Sequence, residues 1–167
     1  MDNEYRRAEV YEIDAIYLMG FDVWSDGRPV EEFLSRCRES KKYQSGRRFL
    51  LREGAVLRSA LLVHSFASWG DRVVRGIGSV AASPELRRQG YGHSVVAHAV
   101  DDLTARENAR VLLPYSDIGR RFYERHGFRA LPADGQTVPG SVPMLRMLPE
   151  YAARVLARYR REIPGYF

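Results

Sequence analysis

Three strand-like runs stand one after another between Arg47 and Ala82, and whatever this chain folds into must seat them in a sheet. RRFLLRE and AVLRSALLVHSF flank Glu53-Gly54 and read as a β-hairpin. VVRGIGSVAA follows and stops at Ser83-Pro84.

Helical periodicity brackets these runs. Val10, Ile13, Tyr17, Leu18, Phe21 and Trp24 recur at helical spacing, which predicts an amphipathic helix ending near Asp26-Gly27. A second helix, about Val30 to Lys42, follows Pro29. Beyond the turn SPELRRQGYG, residues Val95, Val96, Ala99, Val100 and Leu103 mark the buried stripe of a helix reaching about Asn108. RVLLPY is a short buried strand. SDIGRRFYERHG reads as a short helix with Ser116 or Asp117 as N-cap and Gly127 as left-handed terminator. FRAL begins a last strand, and PADGQTVPGSVP is a surface loop. Glu150 to Glu162 is a final helix with Tyr151, Val155, Leu156 and Tyr159 inward. The order helix, helix, β, β, β, helix, β, helix describes an α/β layer with a mixed sheet.

With 167 residues the chain can bury about 70% of its extended surface, which predicts one domain over 1–167. Hydrophobic residues at 45% and charged residues at 28% exclude a disordered, collagen-like or coiled-coil chain. The net charge of +5 suits a phosphate-bearing ligand, or simply keeps the protein in solution. The arginines are scattered along the whole length rather than gathered into a patch, which argues against nucleic acid. No apolar run approaches ~20 residues. MDNEYRRAEVYE has no signal-peptide core, so the expectation is a cytoplasmic protein without a membrane span. Cys37 is the single cysteine and sits beside Phe33 and Leu34 at helical spacing, as a small buried hydrophobe would.

Arg87-Arg88-Gln89-Gly90-Tyr91-Gly92 lies between a hydrophobic strand and an amphipathic helix, where free N–H groups can converge on an anion. Gly90 and Gly92 permit positive φ and close approach of a ligand, while Arg87 and Arg88 supply charge. The turn lacks the third glycine of the dinucleotide fingerprint and the G-K-[ST] of a P-loop.

What remains is V-A-A-S-P-E-L-R-R-Q-G-Y-G, and Ser79 to Leu103 resembles the acetyl-CoA-binding segment of the GNAT superfamily of N-acetyltransferases, R/Q-x-x-G-x-G/A after a strand. Downstream, Phe122-Tyr123-Glu124-Arg125-His126-Gly127-Phe128 resembles the family's F-Y-E-x-x-G-F signature. The two matches cover Val73 to Leu131. The resemblance implies a mixed, mostly antiparallel sheet flanked by helices, with splayed central strands. Its first strand would have to fit into the opening nine residues. It implies transfer of an acetyl group from acetyl-CoA, as co-substrate, to a primary amine.

The resemblance also implies roles. Val80, Ala81 and Ala82 would hold the pantetheine arm, with an N–H near Val80 polarising the thioester carbonyl. The turn Arg87 to Gly92, including Gln89 and Tyr91, would hold the pyrophosphate. Pro114 cannot donate to a ladder and belongs where neighbouring strands part. Ser116 would touch the pantetheine arm, or be a plain N-cap; Tyr123 would protonate the departing thiolate, or merely pack its helix. A looser likeness of FDVWSDGRPVEEFLSRC, SALLVHSF and LLPYSDIGRRFYERHGF to fungal acetyltransferases of free lysine suggests a small acceptor, with Trp24 and Phe33 as a lid.

The general base is less legible. VVRGIGSVAA contains no Glu or Asp, so Asp117, Glu12 and His64 are the candidates. His93 could reach a phosphate or simply open its helix; His98 and His126 read as surface. No Cys/His cluster has metal spacing, so no metal is expected, and no nucleophile stands in a recognisable elbow. Direct attack by the amine of a small molecule, such as lysine or another amino acid, is the leading reading. Protein lysine or N-terminal acetylation, a non-catalytic CoA-binding module and a basic binding domain are the alternatives, in a monomer or homodimer.

Overall fold

The hairpin is β2 (Arg47–Glu53) and β3 (Val56–Trp69), paired antiparallel from Arg47↔Val63 to Glu53↔Val56. Gly54 takes φ +58° in its turn, a conformation open to glycine. The computed structural model describes residues 3–131, 139–147 and 149–165. With β1 (Asn3–Arg7), β4 (Arg72–Ala82), β5 (Ala109–Ser116), β6 (Arg129–Ala130) and β7 (Val142–Leu145), the strands order as β1-β2-β3-β4-β5-β7-β6. β1 pairs antiparallel with β2, and β7 with both β5 and β6, while β4 and β5 run parallel. The sheet is therefore mixed, mostly antiparallel and flanked by helices, as the family resemblance implies.

The chain forms two compact units, Met1–His64 with Ser79–Ala99, and Ser65–Gly78 with Val100–Phe167. In the first, the expected opening helix is broken into a 3-10 turn (Val10–Glu12), α1 (Ile13–Leu18) and α2 (Phe21–Trp24). The apolar spacing misled at its start, where Val10 is 84% exposed. The break falls at Gly20, where a Cβ would come within 2.0 Å of the Trp24 ring. The expected second helix is likewise two, α3 (Val30–Glu39) and α4 (Lys41–Ser45), divided at the extended Ser40. Glu31 and Glu32 open α3 and Arg36 and Arg38 close it, both favourable to the helix dipole. Its buried stripe of Phe33, Leu34 and Cys37 packs with Tyr17.

β1 does occupy the opening residues. NEYRR carries no apolar alternation, and Tyr5, stacked on Phe49 with ring centroids 5.5 Å apart, is its anchor. The join to the next segment is ionic. The Glu12 carboxylate accepts from Arg6 Nη1 (2.7 Å) and Nη2 (2.8 Å), from Arg52 Nη1 (2.9 Å) and from the Glu9 amide (2.9 Å). With every lone pair engaged, its pKa is lowered to about 2, led by the Arg6 hydrogen bonds.

In the second unit Trp69, Val74, Val111, Leu113, Leu131 and Leu145 form the core, with Leu156 against them. α5 (Tyr91–Ala105) begins in the first unit and ends in this one, three residues short of Asn108. α6 (Arg120–Glu124) has Gly119 at its N-cap in place of Ser116 or Asp117, and Gly127, φ +80°, follows it as the sequence predicts. β7 occupies part of the stretch expected as loop, because Pro143, Met144 and Leu145 are buried. Residues 132–138 of that loop, and the side chains of Tyr151, Val155 and Tyr159 on α7 (Pro149–Tyr159), lie outside the described residues. No described helix is long and apolar enough to cross a membrane.

Glu12→Gln should cost about 2–3 kcal/mol, since it leaves two partly exposed guanidinium groups without their shared carboxylate. Urea unfolding measures this, and the difference should vanish below about pH 2, where Glu12 is protonated in the native state.

Candidate functional site

The tail of β4 prepares the site. Among the described residues the β4–β5 ladder ends at Ile77↔Pro114, where proline has no N–H to give. Two residues on, Ser79 takes φ +48°, a left-handed conformation that costs a non-glycine residue about 1–2 kcal/mol. Ser79, Val80, Ala81 and Ala82 are half-buried.

The turn beyond is nailed to β3 at both ends. Ser83 donates its amide to the Arg58 carbonyl (3.1 Å) and its hydroxyl to the Leu57 carbonyl (2.8 Å). The Ser59 hydroxyl donates to the Tyr91 carbonyl (2.9 Å), and the Arg58 guanidinium lies 5.2 Å from the Tyr91 ring centroid. Between these anchors Arg88 (φ +61°) and Gly90 (φ +90°) are left-handed. α5 starts at Tyr91, so its first amides have no partner within the helix. Gln89 folds back to donate to the Glu85 carbonyl (3.3 Å). Arg88 is exposed at the rim, as a phosphate contact needs. Arg87 is committed elsewhere: its two terminal nitrogens each lie 2.6 Å from a carboxylate oxygen of Asp22, and Nη2 also donates to the Met19 carbonyl (2.8 Å). The guanidinium beside it holds the Asp22 carboxyl below its usual range.

A narrow pocket with a cavity volume of about 20 Å³ opens in the same unit. It is lined by Ile16, Leu61, Leu62 and Ala81 on its apolar side and by Tyr17, Trp24, Tyr43, Arg48 and Ser79. Tyr17 and Tyr43 stand with rings 5.0 Å apart. Arg48 Nη2 donates to the Tyr17 hydroxyl and to the Tyr43 carbonyl (2.6 Å). The Tyr43 hydroxyl is hydrogen-bonded to Ser79, and burial raises the pKa of both phenols. Of the two residues expected as a lid, Trp24 lines this pocket, and Phe33 is buried (5% exposed) among Tyr17, Leu34 and Cys37 instead. Arg48, Tyr43 and Ser79 were not foreseen: RRFLLRE reads as a strand whether or not Arg48 points into a cavity.

Of the remaining candidates, His64 is buried (4% exposed) and does not line the pocket. Burial, assisted by Lys42, lowers its pKa to about 4, so it is neutral at pH 7 and a weak base. Glu12, with its pKa near 2, is weaker still. Ser116, Asp117 and Tyr123 belong to the second unit. Ser116 is buried and its hydroxyl donates to the Gly119 carbonyl (2.9 Å). Asp117 is exposed. Tyr123 is 3% exposed, between the Phe122 and Phe128 rings at 4.9 and 5.5 Å. Among the described residues no group of three or more His, Cys, Asp or Glu could hold a metal ion.

The family model described as acetyltransferase (GNAT) family matches residues 9–128. No curated protein matches the chain by sequence. Among solved structures, a spermidine N-acetyltransferase chimera from Vibrio cholerae and hSSAT is similar at 14% identity and TM-score 0.66, covering 92% of this chain and 100% of its own. The N-acetylglutamate synthase of Neisseria gonorrhoeae, complexed with coenzyme A and N-acetyl-glutamate, matches at 18% identity and TM-score 0.63 over 87% of this chain. This chain spans 35% of that synthase chain and 33% of another matched structure. The ribosomal-protein-S18-alanine N-acetyltransferase of Escherichia coli matches at 15% identity and TM-score 0.61, over 87% of this chain and 93% of its own.

The neutral state of His64 has a measurable consequence. Unfolded, its pKa returns to 6.5, so between about pH 6.5 and 4 the unfolded state binds a proton that the native state does not. Stability should fall as pH drops through that window, by on the order of 3 kcal/mol in full. Denaturation of His64→Gln should show a flatter dependence between pH 6.5 and 5, above the range where the carboxylates titrate.

Proposed function

Because the chain belongs to the acetyltransferase (GNAT) family, we propose that it moves an acetyl group from acetyl-CoA to the primary amine of a small molecule such as a free amino acid. The observation that carries this reading is the shared framework of turn and pocket. The anion turn at the head of α5 and the aromatic pocket lie in one compact unit, with Arg87 of the turn bound to Asp22 on the helix that bears Trp24. A lined pocket suits a small acceptor better than a peptide backbone does.

In this reading the pyrophosphate of acetyl-CoA rests on the amides of Gly90 to Gly92, with Arg88 at the rim. Val80, Ala81 and Ala82 receive the pantetheine arm, and an N–H near Val80 polarises the thioester carbonyl. The apolar walls Ile16, Leu61, Leu62 and Ala81 favour the uncharged form of the incoming amine by desolvation. The amine nitrogen bonds to the carbonyl carbon, the carbon–sulfur bond breaks, the thiolate takes its proton from the Tyr123 phenol, and the phenolate regains one from solvent. The surplus proton on nitrogen passes to solvent, either directly or through the exposed Asp117. Much of the rate comes from holding amine and thioester together.

Gly90→Glu should abolish acetyl-CoA binding. No heavy atom lies within 4 Å of a Cβ built there, so the loss comes from the left-handed φ and from charge repulsion of the phosphates. Calorimetry on the folded variant measures it, and unchanged affinity would remove the turn from the site.

Tyr123→Phe should leave acetyl-CoA binding nearly intact while kcat falls about tenfold or more. A wild-type kcat with chemistry rate-limiting would return Tyr123 to packing. Efficient acetylation of peptides alongside inertness toward every free amine would replace the small acceptor with a protein one.

A further inference from the structure

Among the described residues that line the pocket Arg48 is the one cation, and none is an Asp or Glu. Both of its hydrogen bonds leave from Nη2, and both end on uncharged oxygens, the Tyr17 hydroxyl and the Tyr43 carbonyl. Its Nε is buried without a partner among the described residues, and no bond there leaves from Nη1. A guanidinium carries five N–H donors and is always charged, so half-burial without a carboxylate is costly. The Tyr17 ring beneath it, 5.2 Å from the guanidinium carbon, holds its plane in place. Two other arginines whose Nε is likewise buried without a partner have a carboxylate beside them. Arg52 and Arg58 each meet a carboxylate, of Glu12 at 2.9 Å and of Glu53 at 2.6 Å.

We propose that Arg48 is the specificity residue of the acceptor pocket and that the acceptor amine also carries a carboxylate, which pairs with its unused donors. The inference rests on the acetyltransferase reading of the same site. The carboxylate neutralises a cation that the protein leaves unpaired, and it orients the molecule so that its amine points away from Arg48. The apolar and aromatic walls take the carbon chain between the two ends. An acceptor with a second ammonium in place of the carboxylate would meet Arg48 as a like charge, with no Asp or Glu among the described residues lining the pocket to offset it. The pocket therefore selects amino acids over di- and polyamines.

Matched pairs that differ only in the carboxylate test this: L-lysine with cadaverine, L-ornithine with putrescine, L-phenylalanine with phenethylamine. Acetyl transfer is followed by thiol release in wild type, Arg48→Met and Arg48→Lys, with acetyl-CoA affinity measured separately by calorimetry. The best pair should favour the acid by about tenfold or more in kcat/KM, as expected for a charge-assisted bond. Arg48→Met should raise KM for the acid far more than for its decarboxylated partner, and Arg48→Lys should recover part of the loss. Equal or better turnover of the decarboxylated partners overturns the inference, as does an equal loss for both members of a pair in Arg48→Met. If acetyl-CoA binds but only polyamines or peptides are acetylated, this inference fails while the acetyltransferase reading stands; if acetyl-CoA does not bind, that reading fails as well. Should Arg48→Met not fold, Trp24 emission in the wild-type protein provides a second readout, because the other tryptophan, Trp69, is buried in a core. 6-Aminohexanoate should change the emission saturably and hexylamine should not; a response to both alike overturns the inference.

Discussion

The fork from Arg87 to Asp22 is the contact on which the candidate site depends. It joins the turn that presents free amides to α2, the short helix that presents Trp24, and its third bond, to the Met19 carbonyl, reaches the break between α1 and α2. Helices of four to six residues have little stability of their own. What keeps α2 in place is its attachment: Gly20 beneath the indole, the Phe21 ring against Phe33 at 5.3 Å, and Arg87 across the turn. The ion pair itself is partly exposed and contributes modestly to stability. Its value is geometric, since a planar bidentate pair fixes orientation as well as distance.

Charge is distributed in this unit by a simple rule of partnering. Glu12 is buried with two arginines and an amide and is fully satisfied. His64 is buried and kept neutral. Arg48, half-buried in the pocket wall, gives its hydrogen bonds to neutral oxygens. Protein interiors tolerate such a group where a ligand completes it, because an unpaired donor is expensive only while it stays unpaired. The neutral His64 and the strongly acidic Glu12 also bear on catalysis. Neither holds a proton firmly enough at pH 7 to serve as a general base, which favours an amine that arrives already uncharged.

The middle of the chain was legible because alternation, turn chemistry and glycine placement agree there. The hairpin, β4, the turn, α5 and the glycine after α6 all follow from residues close in sequence. The ends were harder to read. NEYRR becomes a strand only because β2 offers a partner edge, and the short β7 sits in a Gly- and Pro-rich stretch whose composition argues for loop. The opening helix failed through its own periodicity: apolar spacing continued across Gly20, where the backbone breaks and where only glycine leaves room for the Trp24 ring. The same limit applies to the site. Motifs located the turn and Tyr123, but nothing in a strand pattern distinguishes Arg48 from Arg47, and Arg87 looked like a phosphate ligand until Asp22 stood beside it.

Hydrogen–deuterium exchange with and without coenzyme A tests the central claim most directly, because it reads the backbone amides on which the account relies. Bound coenzyme A should slow exchange in Val80 to Ala82 and in Gly90 to Ser94, with little change in β1 or along α3. Binding shown by calorimetry with no protection at the head of α5 would place the cofactor elsewhere and contradict the account.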